Sequence, residues 1–80
     1  MDISFYPVRN GSIEAFAIIT GPDLTLTGLM VNKIEGGGLG VIFPMMIDQD
    51  RCQRLFPGNR EGLRQEIIEA FRKYDRGAKP

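Results

Sequence analysis

The 80-residue sequence predicts a small α+β domain: an antiparallel sheet of about four strands in meander order, followed by one C-terminal helix. Three observations carry that reading. The first half alternates in period two and is cut by turn signals at Asn10-Gly11, Gly21-Pro22-Asp23 and Gly36-Gly37-Gly38. Spacings of three and four take over only near the C-terminal end. A chain of this length hides about two thirds of its unfolded surface, too little for two separate cores. Residues 1–76 are therefore assigned to one domain and residues 77–80 to a disordered tail.

The elements follow in order. Ile3 to Val8 are β-branched and aromatic and run into Asn10-Gly11, whose tolerance of positive φ predicts a hairpin. In Ile13 to Thr20, Ile13, Ala15, Ala17 and Ile19 share one face, while Phe16 and Ile18 share the other with Glu14 and Thr20. Both faces of that strand are expected to be partly covered. Leu24 to Val31 alternates until Gly28, where the phase slips, as a β-bulge or a close backbone approach would require. Asn32 to Gly38 reads as a polar turn, and LGVIFP as a fourth strand ended by Pro44, which has no N–H for a ladder. Residues 45–58 have no period, but Met45, Met46, Ile47, Leu55 and Phe56 suggest a segment that packs on the sheet. Asn59 suits an N-cap. Leu63, Ile67, Ala70, Phe71 and Tyr74 then form one helical stripe, with Glu69 and Lys73 a favourable i, i+4 pair and Gly77 a stop.

Composition removes most enzymatic chemistry. Histidine is absent, which takes away the commonest general base and metal ligand. Cys52 is the single cysteine, so neither an intrachain disulfide nor a multi-cysteine zinc site is available. Ser4 and Ser12 have no base to activate them. Asp48 and Asp50 lack the carboxylate spacing of a calcium loop. Catalysis, a cofactor, a metal and a small-molecule substrate are not expected. No segment approaches the roughly 18 apolar residues of a membrane span, and MDISFYPVRN lacks the pattern of a secretory signal, so a cytoplasmic location is expected.

The glycines before VIFP admit two explanations. A phosphate cradle needs a glycine loop that opens a helix, so that amides and the positive helix end converge on the anion. Here the downstream element is a strand and no GKS or GKT follows. A tight turn that uses positive φ is the expectation.

Net charge is zero, yet unevenly spread. Residues 1–50 hold two cations against six carboxylates, and residues 51–80 hold eight against four. The C-terminal part is thus a candidate surface for polyanions. Arginine suits such a surface because its planar guanidinium offers paired donors to a phosphate, and each neutralised phosphate releases counterions. Phe5, Tyr6 and Phe16 read as core or dimer-interface packing ahead of base stacking.

The ordered pieces VRNGSIEAFAIIT, LTLTGLMVNKIEGGGLGVIFP and FPGNREGLRQEIIEAFRKY resemble the SpoVG family, stage V sporulation protein G, of bacterial septation and sporulation regulators. The resemblance spans about residues 3 to 74 and lies in order and spacing, with no catalytic signature. It implies a homodimer joined through the sheet that binds DNA, with RNA as a second target, and regulates without catalysis. It also implies that basic residues after the Pro-ended strand and on the C-terminal helix make the contacts, and the positions that fit here are Arg51, Arg54, Arg60, Arg64, Arg72 and Lys73. Asp48 and Asp50 depart from the Ser, Lys and Arg common in that segment of the family. They count toward weak or lost nucleic-acid binding, and the acidic N-terminal half and neutral total charge favour the alternative, a protein-interaction module that keeps the fold and has lost nucleic-acid binding.

Overall fold

The computed structural model describes residues 2–44 and 60–77. Strands β1 (Asp2–Asn10), β2 (Ile13–Thr20), β3 (Thr25–Lys33) and β4 (Leu39–Ile42) precede helix α1 (Arg60–Gly77). The sheet order is β1-β2-β3-β4 with every pair antiparallel, which is the expected meander with a C-terminal helix.

Each connection has a local cause. Asn10 pairs with Ile13, so the two-residue loop is Gly11-Ser12, one position later than the Asn10-Gly11 signal. Gly11 there takes φ +62°. Between β2 and β3 the Gly21 N–H donates to the Leu24 carbonyl at 2.8 Å. Between β3 and β4 the Gly37 N–H donates to the Ile34 carbonyl at 3.2 Å, with Gly36 and Gly37 at φ +98° and +94°. The glycine run is a turn, as its sequence context predicts.

Three irregularities shape the sheet. At Gly28, φ +81°, the register steps from Ala17↔Leu29 to Ile19↔Leu26, so β3 holds one extra residue there. The same glycine is closely approached, since a Cβ would lie 3.1 Å from Cγ of Pro44. Both physical reasons for the slip in period therefore apply. A second step, from Ile13↔Asn32 to Ala15↔Val31, leaves Glu14 as the extra residue of β2. This corrects the simple alternation: Glu14 does not share the outer face with Phe16 but is buried, 7% exposed. A third irregularity lies in β1 between Pro7 and Asn10, where Arg9 adopts φ +52°.

One face of the sheet carries the core. Ala15, Ala17, Ile19, Leu26, Leu29 and Val31 pack against Leu63, Ile67 and Phe71 of α1. Burying each large aliphatic side chain contributes about 1.5–3 kcal/mol. Phe5 of β1 completes an aromatic corner, its ring centroid 5.4 Å from Phe71 and 5.3 Å from Tyr74. The predicted stripe is thus the buried side of the helix. Ile68 is buried too, which widens the stripe beyond the strict three-and-four spacing. Gly77 is the last helical residue rather than the first of a tail. Among the described residues Glu69 and Lys73 form no ion pair; Glu61 and Arg64, at i, i+3, do. The expectations for Asn59 and for residues 45–58 lie outside the described residues.

Among the described residues no element packs on the other face. The register aligns Tyr6, Phe16, Met30 and Ile42 in one row across all four strands. Tyr6 is 57%, Phe16 45% and Ile42 41% exposed.

Candidate nucleic-acid interface

Of the six predicted contact residues, Arg51 and Arg54 lie outside the described residues. The other four stand on α1 in two groups. Arg60 and Arg64 occupy its first turns, Arg72 and Lys73 its last, their centres roughly 16 Å apart along the axis at about 1.5 Å per residue. The described part of the set therefore forms two groups, not one continuous ridge.

The first group is engaged within the chain. The Arg60 guanidinium lies 5.2 Å from the Phe43 ring centroid, a cation–π contact worth about 0.5–1 kcal/mol at an exposed site. Arg64 donates a hydrogen bond to Glu61. That bond, with a second from Gln65 at 3.2 Å, holds the Glu61 carboxyl below the ordinary carboxylate range. Both arginines border a shallow cleft of about 380 Å³.

The second group is not neutralised. Arg72, Lys73 and Arg76 are exposed, and none pairs with a carboxylate among the described residues. Arg72 and Arg76, one turn apart, border a larger cleft of about 480 Å³ between α1 and the sheet. At its base the buried Glu14 accepts from Arg9 at 2.7 Å and meets the Lys33 ammonium at 3.0 Å. Arg9 reaches on to Asp75 of α1 at 2.8 Å, tying the helix end to the sheet. The hydrogen bond to Asp75 is the main reason the Arg9 guanidinium holds its proton even more firmly than usual, assisted by the charges of Asp75 and Glu14. Burial of Glu14 is tolerable because both its oxygens are paired with cations.

Arg9, Lys33 and Arg76 belong to this electrostatic surface, yet charge counting along the sequence did not select them. Arg9 and Lys33 come from the acidic half and are brought in by strand pairing. The only signal for Arg76 was its i, i+4 relation to Arg72. Among the described residues no group of three His, Cys, Asp or Glu side chains is placed to hold a metal, and no helix is long and apolar enough to cross a membrane. In comparisons with known proteins, no family model, curated protein or solved structure matches the chain.

Proposed function

We propose that the chain is a homodimeric nucleic-acid-binding regulator of the SpoVG type, taking DNA, with RNA as a second target, and acting in septation, sporulation or gene regulation in the bacterial cytoplasm without catalysis. The observation that carries the reading is the cationic end of α1, at Arg72, Lys73 and Arg76, which form no ion pair among the described residues. Exposed cations without carboxylate partners can neutralise backbone phosphates at little cost, and each phosphate neutralised releases counterions. Arg51, Arg54, Arg60 and Arg64 extend the same basic C-terminal part of the sequence.

Dimerisation is proposed through the open face of the sheet, where the row of Tyr6, Phe16, Met30 and Ile42 offers apolar surface. The sheet edges are less suited to pairing. β1 carries Pro7 and an irregularity, and β4 is four residues long. A second copy on this face doubles the number of cations presented.

Electrophoretic shifts with random-sequence duplex and single-stranded oligonucleotides test the binding. The expected affinity falls by at least about tenfold between 50 and 200 mM salt. It falls further when Arg72 and Lys73, or Arg51, Arg54 and Arg60, are replaced by alanine. Binding indifferent to salt and to both sets of replacements would overturn the reading. Sedimentation tests the dimer, which Phe16→Ser is expected to dissociate; a wild-type monomer at micromolar concentration removes that part.

The alternative, a protein-interaction module, is favoured by the same open apolar row and by the zero net charge. Absence of any oligonucleotide shift at low salt would select it.

A further inference from the structure

The cleft between the end of α1 and the sheet holds an unbalanced set of charges. Among the described residues Arg9, Lys33, Arg72 and Arg76 border it against two carboxylates, Glu14 and Asp75, a surplus of two positive charges. The balanced part is the base, where Arg9 pairs with both Glu14 and Asp75 and Lys33 with Glu14. That leaves Arg72 and Arg76 as the surplus. They stand four residues apart on α1, so they occupy one side of the helix on consecutive turns and border one space. Leu39 of β4 and Phe71 of α1 add apolar wall to the same cleft.

From this arrangement we infer that the cleft is a binding site for a phosphate monoester carried on a small organic group. A monoester has a charge of about −1.5 to −2 at neutral pH and three terminal oxygens, which matches a surplus of two and two donor-rich guanidinium groups. A monocarboxylate would leave one arginine uncompensated. Guanidinium forks also bind phosphate with paired, charge-assisted hydrogen bonds. The volume, about 480 Å³, lies in the range of small-molecule pockets, and the wall of Leu39 and Phe71 suits the organic part of the ligand. The ion pairs at the base fix the site in advance. Arg9 and Asp75 hold the helix end in place, so the backbone that carries Arg72 and Arg76 need not be ordered at the moment of binding. This site shares Arg72 and Arg76 with the proposed nucleic-acid surface and differs from it in using Arg9 and Lys33, so a small ligand occupying it would compete with nucleic acid there and act as an effector of the protein.

The test is an NMR titration of the full ¹⁵N-labelled chain at low ionic strength with phenyl phosphate, AMP, inorganic phosphate, adenosine, succinate and a 5′-hydroxyl oligonucleotide. Phenyl phosphate and AMP are expected to shift the amide signals of Gly37, Leu39, Arg72 and Arg76 below about 10 mM. Inorganic phosphate shifts the same signals more weakly, and adenosine leaves them in place. Arg76→Gln is expected to weaken AMP by about tenfold, with Arg76→Lys falling between it and the wild type. Because Arg76 is exposed, the variant spectra report folding directly. No shift with either monoester, equal shifts with adenosine or succinate, or indifference to Arg76→Gln overturns the site. If the 5′-hydroxyl oligonucleotide moves these signals as strongly as AMP does, the cleft is a backbone contact: the monoester assignment falls while the nucleic-acid reading stands. AMP binding without oligonucleotide binding gives the reverse.

Discussion

The two faces of the sheet are built from the same four strands, yet only one is finished. The helix-side face is sealed by Leu63, Ile67 and Phe71, and Ala15, Ala17, Ile19, Leu29 and Val31 are completely hidden there. The opposite face presents Tyr6, Phe16 and Ile42 to solvent in one aligned row. One helix of 18 residues covers one side of a four-stranded sheet, and the described chain has no second helix for the other. Among the described residues, stability therefore resides on the helix-side face, and the opposite face is the one proposed for association. Most of the charge chemistry gathers at the seam between sheet and helix.

Substitutions on opposite faces should separate these roles, and the largest effect belongs to the sealed side. Leu29→Ala is expected to cost about 2–5 kcal/mol in urea unfolding, a large fraction of a small domain's total. Phe16→Ser, in dilute solution where the chain is monomeric, should cost less than about 1 kcal/mol. Equal costs would mean that the open face is covered within the folded unit, and the contrast between faces would fail.

An intermediate effect is expected at the seam. Glu14→Gln removes the charge that holds Arg9 and Lys33, and should lower stability by about 1–3 kcal/mol. The loss stays below that for a fully buried orphaned charge, because Arg9 and Lys33 are at least half exposed and can rehydrate. A Glu14→Gln protein as stable as the wild type would show that the ion pairs position side chains without holding the helix to the sheet.

The smallest effect sits far from both faces, at the start of α1. The folded chain holds the Glu61 carboxyl below its ordinary value of 4.5, so its contribution to stability is present above that value and lost as pH falls through the lower folded value. Acid titration followed by far-ultraviolet circular dichroism should show helix retained to slightly lower pH in wild type than in Glu61→Gln, the two converging once the Glu61 carboxyl is protonated. Superimposable curves would show that the exposed Glu61–Arg64 pair contributes nothing measurable, as many surface pairs do.

Much of this fold was legible in the residues. The turn glycines, the slip at Gly28 and the stripe from Leu63 to Tyr74 each follow from a local rule, and the architecture is their sum. What escaped were consequences of pairing between distant segments. Glu14 looked like an outward-facing residue because strict alternation put it with Phe16; the bulge that turns it inward is fixed by its register against Asn32 and Val31. Arg9 likewise seemed part of a turn, and only the irregular end of β1 lets it bridge Glu14 and Asp75. The candidate site was legible to a lesser degree. Charge counting selected α1, but it could not separate Arg64, engaged with Glu61, from Arg72, which has no such partner.

Each strand pairs with the strand next to it in sequence, whereas the Arg9–Asp75 contact joins residues 66 positions apart. Hairpins close short loops at small entropic cost, so the sheet can assemble quickly and the helix docks late, bringing the two ends of the polypeptide together last. In stopped-flow chevron measurements, Leu29→Ala should therefore slow refolding, while Ile67→Ala should mainly hasten unfolding. The last step of folding is then also the step that forms the cationic seam.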